Sequence, residues 1–118
     1  MADYKQFDIV WTKFSFSDKI AQYKIRPAII ISNQISNFLD NDIILCPITS
    51  QIRGDAFGVE LTNEMLSNSL DIRSEIRCNK LMTIRKLLVI SKSGEVLLPY
   101  HQLIIEKVWK AFDNKIVI

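Results

Sequence analysis

Pro27 is followed by Ala28, Ile29, Ile30 and Ile31, a run with no polar position. Successive strand residues point to opposite faces of a sheet, so this run is apolar on both faces and belongs in a central strand covered above and below. Proline is tolerated at the first position of a strand, which is where the pattern puts Pro27. Other short runs supply neighbours. Residues 7–14 are β-branched and aromatic with partial alternation, and residues 42–48 form a third strand in which Pro47 marks a bulge or an edge. Residues 57–61 make a fourth. In residues 74–81 Ile76 and Cys78 share one side while Glu75, Arg77 and Asn79 face outward, and residues 87–90 make one more short strand.

Between these runs the chain is polar. Residues 15–24 read as a loop, Ser36-Asn37 and Asp40-Asn41 flank a short helical turn, and residues 49–55 form a turn ending in Gly54. Thr62 opens a helical turn, and Ser93-Gly94 reads as a turn. After Pro99 the period becomes helical, with Leu103, Ile104, Val108, Ala111 and Phe112 in a stripe and Glu106, Lys107 and Lys110 off it. Several short antiparallel strands, one terminal helix and no βαβ period indicate a small α+β barrel or sandwich.

At 118 residues the chain is one domain, 1–118, large enough to bury about two thirds of its unfolded surface without staples. Nineteen isoleucines against three glycines and three prolines exclude collagen-like, linker-like and repeat architectures. Cys46 and Cys78 lack CxxC spacing and read as reduced thiols on apolar strand faces. Two acids precede any apolar run at the N-terminus, and no aliphatic run approaches membrane-spanning length. The expectation is a soluble, cytoplasmic domain with no membrane partner.

The net charge of +2 is unevenly spread. Arg73, Arg77, Lys80, Arg85, Lys86 and Lys92 face Glu75 alone in their segment, and five basic residues between Lys5 and Arg26 face Asp8 and Asp18. The intervening segment, 40–71, holds six acids against Arg53. Such alternation suggests a positive face suited to a polyanion, or else solvated loops whose charges never meet.

Much chemistry is excluded. The single histidine, His101, falls on the terminal helix, reads as exposed or half-packed, and cannot serve a two-histidine acid–base mechanism or a histidine-rich metal site. No Walker, GxGxxG or GxSxG motif is present. What remains is Arg26-Pro27 before the central strand, Thr49-Ser50 after the next, and Arg77. An arginine with nearby hydroxyls suits a phosphate, because the guanidinium pairs two phosphoryl oxygens and the hydroxyls donate to others; Arg26 as a plain surface charge and Thr49-Ser50 as an ordinary turn is the competing reading.

At these residues the sequence resembles the MazF/PemK (Kid) family of toxins from bacterial toxin–antitoxin modules. Four blocks carry the resemblance: Phe7-Asp-Ile-Val-Trp-Thr-Lys-Phe-Ser-Phe-Ser17, Arg26-Pro-Ala-Ile-Ile-Ile-Ser-Asn33, Asp42-Ile-Ile-Leu-Cys-Pro-Ile-Thr-Ser50 and Ser74-Glu-Ile-Arg-Cys-Asn-Lys-Leu-Met-Thr-Ile84. The family implies an SH3-like antiparallel β-barrel (CcdB/MazF-like) with a C-terminal α-helix, a homodimer, and ribosome-independent, sequence-specific cleavage of single-stranded RNA without metal or cofactor. The ribose 2′-OH attacks the adjacent phosphorus, giving a cyclic phosphate and a free 5′-OH. By the motif match Arg26 stabilises the phosphorane charge or protonates the leaving oxygen, Thr49 with Ser50 holds the phosphate, and Arg77 is the second arginine, acting beside an aspartate base. Base selection falls to loops such as 15–24, with Lys19, and 49–57, with Arg53. A cognate antitoxin with a disordered acidic–hydrophobic segment is the implied partner.

The sequence departs from the family pattern at three places. Asn79 stands where the family has the aspartate, and an amide orients a 2′-OH but cannot take its proton. The base then lies elsewhere, or cleavage is slow, or the domain only binds RNA or a partner; Glu75, two residues from Arg77, is a substitute. Phe7 replaces a usual glycine, and Lys80 a glutamine, on the opposite strand face by strict alternation. A CcdB-like gyrase inhibitor of the same fold is a further alternative, disfavoured by the Arg-Pro and Thr-Ser pairs.

Overall fold

A computed structural model describes residues 4–16 and 19–115, with the backbone alone at 15–16 and 19–22. The elements are β1 (Asp8–Phe16), β2 (Lys19–Ile30), α1 (Gln34–Asp40), β3 (Asp42–Thr49), β4 (Gly58–Leu61), β5 (Ser74–Arg77), β6 (Met82–Arg85), β7 (Val89–Glu95) and α2 (His101–Lys110). The strands form one antiparallel, open, barrel-like sheet in the order β4-β5-β3-β2-β1-β7, with β6 also beside β3.

The run 28–31 is central as its composition requires. Ala28 to Ile30 lie between β1 and β3, and the alternate residues enter two separate apolar layers. Ile9, Ile29, Cys46, Ile48 and Ile76 pack with Ile104 and Val108 of α2 on one face. Val10, Ala28, Ile30, Ile43, Leu45 and Ile84 fill the other. Pro47 falls where β3 changes its second neighbour, from β6 through Leu45 to β5 from Ile48, so its missing N–H interrupts no ladder. Pro27 does not open its strand. It lies within β2 opposite Trp11, one residue before β3 joins.

Four further expectations are corrected. Residues 15–16 and 19–24 are strand, not polar loop: β1 continues to Phe16 and β2 begins at Lys19, and in the outer half of this long antiparallel pair β2 has no strand neighbour but β1 among the described residues. Ser93-Gly94 is not a turn but part of β7, where the register slips against Ile9 and Val10. A Cβ on Gly94 would meet Ser67 Oγ at 2.9 Å, so the close approach of residue 67 requires glycine there. Residues 86–88 form a 3-10 turn rather than strand, and β6 is a strand that the sequence pattern did not mark off. On α2, Ile104 and Val108 are buried one turn apart, whereas Leu103 is exposed, and Ala111 and Phe112 of the expected stripe fall beyond the end of the helix and are exposed too.

Phe7, where the resemblance expects glycine, adopts φ 71°, a left-handed conformation costly for a side chain with a Cβ. Its ring stacks on His101 with centroids 3.7 Å apart, and its backbone bonds Ile30 O and the Val96 N–H. His101 is half-buried, its Nε2 2.6 Å from Val96 O. Burial pushes the Cys46 thiol up to about 12 and Cys78 to about 11, as befits inert core cysteines. Among the described residues no helix is long and apolar enough to cross a membrane.

Candidate active-site cleft

The free edge of β2, the end of β3 and the segment entering β5 enclose an open cleft of about 470 Å³. It is lined by Trp11 of β1, by residues 24–27 of β2, by Ile48, Thr49 and Ser50 at the end of β3, and by Leu70, Asp71, Ile72 and Ser74 from the segment that leads into β5. Arg26, Thr49 and Ser50, 23 and 24 residues apart in sequence, are therefore brought to one surface. The pairing of β2 with β3 over Ala28–Ile30 and Leu45–Pro47 does this, because it leaves both strands to diverge just beyond.

Arg26 is exposed, with no ion-pair partner among the described residues. Thr49 Oγ1 accepts the Gln51 N–H at 3.1 Å, which fixes the hydroxyl and leaves its proton to donate. Ser50 is exposed beside it. This is a cation and two hydroxyl donors on a mostly apolar surface, which suits a phosphodiester flanked by a base.

Arg77 is elsewhere. The sequence places Glu75 and Arg77 on an outward face, but all four residues of β5 are buried, and these two are 1% and 4% exposed. Arg77 Nη1 donates to Glu75 Oε1 at 2.6 Å and to Asp55 Oδ1 at 3.1 Å, and Nη2 donates to Asp55 Oδ2 at 2.9 Å and Asn79 Oδ1 at 3.4 Å. Glu75 Oε2 accepts the Arg53 and Gly54 N–H groups, each at 3.2 Å. Gly58 makes room for this carboxylate, since a Cβ there would lie 2.5 Å from Glu75 Cδ. The hydrogen bonds to Asp55 hold the Arg77 guanidinium above its ordinary pKa, against burial. Burial pushes Glu75 up, but Arg77 and the Gly54 and Arg53 amides outweigh it and hold the carboxyl below its usual value. The Arg77 hydrogen bond likewise lowers Asp55. The cluster ties the loop after Thr49 to β5.

Of the remaining expected site residues, Asn79 and Lys80 are exposed in the turn after Arg77, with the Lys80 N–H bonded to Arg77 O at 3.1 Å. The strand ends before Lys80, so strict alternation does not assign it a face. Arg53 is exposed on the loop. The side chain of Lys19 lies outside the described residues. Trp11, Asp71, Ile72 and Ser74 were not singled out from sequence; they reach the cleft through pairing and the return of the segment between β4 and β5, which leaves no local pattern.

The expected positive face is largely neutralised. Arg73 pairs with Glu60, Arg77 with Asp55 and Glu75, Arg85 with Asp42, and Lys92 with Asp8 and Glu95. The acidic middle segment supplies counter-charges to the basic one, so the two segments meet each other. Among the described residues no three His, Cys, Asp or Glu side chains converge as a ligand set.

Residues 5–108 match the family described as PemK-like, MazF-like toxin of type II toxin–antitoxin system. No individual curated protein matches. Among solved structures, a mycobacterial endoribonuclease in complex with its cognate antitoxin is similar with a TM-score of 0.76 at 17% identity, over 93% of this chain and 95% of that one. The Mycobacterium tuberculosis toxin MazF-mt6 gives 0.73 at 24%, over 90% and 96%. MazE–MazF from Deinococcus radiodurans gives 0.75 at 17%, over 92% and 95%. The structural likeness establishes a shared fold. The family match, running from just before β1 into α2, means that this chain belongs to the PemK-like, MazF-like toxins of type II toxin–antitoxin systems.

Proposed function

We propose that this toxin is a metal-independent endoribonuclease that cleaves single-stranded RNA, and that a cognate antitoxin silences it by covering the cleft. The observation that carries the reading is the meeting of unpaired Arg26 with Thr49 and Ser50 in one open cleft. A phosphodiester lies against Arg26, whose charge is met by no carboxylate partner among the described residues and strengthens its hold as the phosphorane gains charge. Thr49 and Ser50 donate to the phosphoryl oxygens. The 2′-oxygen attacks phosphorus, the bond to the 5′-oxygen breaks, and the products are a 2′,3′-cyclic phosphate and a 5′-OH. Trp11, Ile25 and Ile72 offer apolar surface to the flanking bases. The same combination of a cation and apolar rim suits an acidic–hydrophobic antitoxin segment, and a relative of this fold is described with its cognate antitoxin. Arg77 acts in this scheme through the loop that carries Thr49. Asn79, Lys80, Arg53 and Lys19 remain candidate contacts to the RNA beyond the scissile phosphate.

The test is incubation of purified protein with several long single-stranded RNAs in EDTA, beside Arg26→Ala, with new ends mapped by sequencing. Discrete cuts bearing 5′-OH ends, abolished in the variant, are the expected result. Intact RNA that is nonetheless bound in a salt-sensitive manner would replace the reading with a binding module, and cleavage undiminished in Arg26→Ala would remove Arg26 from the site.

A further inference from the structure

We propose that Asp71 is the general base of the cleavage, taking the proton of the attacking 2′-OH. This inference rests on the ribonuclease reading and fills the role that Asn79 cannot play, since an amide has no basic oxygen at neutral pH. Among the described residues Asp71 is the only carboxylate on the walls of the cleft. The other acids near it are committed. Glu75 is buried against Arg77 and two backbone amides, and Asp55 holds the Arg77 fork; neither takes a proton without breaking the cluster beneath the loop. Asp71 is exposed, and none of the ion pairs or hydrogen bonds between described residues involves it.

Its position is fixed from both sides. Asn68 Nδ2 donates to Ser93 O at 2.9 Å, and the Ser67 N–H to Glu95 O at 2.9 Å, anchoring the segment before it on β7. After it, Ser74 Oγ donates to Ile72 O at 2.7 Å, and Arg73 forks onto Glu60. The segment that carries Asp71 is thereby anchored where it lines the same cleft as Arg26, Thr49 and Ser50, and in the proposed complex a phosphate seated on the cation and hydroxyls has its neighbouring ribose within reach of the carboxylate. The 2′-O–H proton passes to Asp71 as the 2′-oxygen bonds to phosphorus. The leaving 5′-oxygen takes a proton from a water molecule, and the proton held by Asp71 restores that water. One P–O bond forms, one breaks, and protons balance.

The experiment is single-turnover cleavage of a mapped RNA site by wild type, Asp71→Asn, Asp71→Glu and Arg26→Ala between pH 4 and 8, with RNA affinity measured in parallel. Asp71→Asn should slow cleavage by about 10²–10⁴-fold, bind RNA within about threefold of wild type, and lose the acid limb of the rate profile. Asp71→Glu should keep that limb and recover part of the rate. Cleavage by Asp71→Asn within about threefold of wild type, or a loss explained by weaker binding with the acid limb intact, overturns the assignment while the ribonuclease reading stands. A wild-type protein that cuts no RNA overturns both.

Discussion

Replacing Arg77 by methionine should destabilise the fold far more than any change at Arg26. Met keeps much of the volume but removes the charge that neutralises Glu75, a carboxylate 1% exposed and hydrogen-bonded at 2.6 Å to the guanidinium. Two backbone amides would remain to it, each at 3.2 Å. Leaving one member of a buried ion pair uncompensated costs about 3–5 kcal/mol. The total stability of a chain this size is on the order of 10 kcal/mol. With a urea dependence of about 2 kcal/mol per molar, the midpoint of equilibrium urea unfolding at pH 7 should fall by about 2 M. The companion is Arg77→Met with Glu75→Met, which removes both charges and should recover most of the loss, since an apolar pair of similar volume is often neutral to stability. A single variant within about 1 kcal/mol of wild type, or a double variant no more stable than the single, refutes the view that Arg77 is a desolvated structural partner of Glu75.

The same cluster sets an acid dependence. Glu75 and Asp55 are held below their unfolded-state pKa values, so the folded protein binds fewer protons and their contribution is complete at neutral pH. It should drain away as the pH falls below about 4, and an acid titration of unfolding in Arg77→Met should show a shallower loss. Arg26→Lys should keep the charge but lose the paired donors, lowering cleavage by about 10²-fold with the urea midpoint unchanged. Phe7→Gly relieves the 71° φ, worth about 1–2 kcal/mol, but removes a buried ring stacked on His101, worth about 3–5 kcal/mol; thermal melting should show net destabilisation. Phe38, 80% exposed on α1 beside Lys86 and close in sequence to exposed Leu39, presents an apolar patch. If the expected homodimer uses it, Phe38→Glu gives a monomer in sedimentation while wild type is a dimer, and a dimeric variant would move the interface elsewhere.

Local pattern made some of these elements legible and hid others for physical reasons. The run 28–31 was readable because both faces of its strand are covered, and Pro47 because a missing donor has few places to sit. The outer half of β2 was not: among the described residues its exposed positions 23–26 have no second strand neighbour, so no apolar periodicity develops. β6 buries Ile84 alone of its four residues, too little for alternation to show. β5 misled in the opposite direction, since Glu75 and Arg77 look like a wet face until Asp55, twenty-two residues before Arg77, is placed against its guanidinium. In the cleft, Arg26, Thr49 and Ser50 stood out through motif resemblance. Asp71 could be found only once the return from β4 to β5 was known.

The two arginines that look alike in sequence are physically opposite. Unit charges about 4 Å apart interact by about 4 kcal/mol at an effective dielectric near 20. A phosphate brought to Arg77 gains one such attraction but meets two carboxylates already hydrogen-bonded to the same guanidinium, so the cluster as a whole repels an anion. Binding there would first have to release Asp55 and expose Glu75. At Arg26 no carboxylate among the described residues is paired with the cation, and the guanidinium is exposed on the outer half of β2, where a ligand can approach. The price is screening by water and salt, which weakens ground-state attraction but less so the charge that develops once the RNA has displaced solvent from the cleft. The buried arginine therefore builds the loop, and the exposed one stays open to an approaching anion.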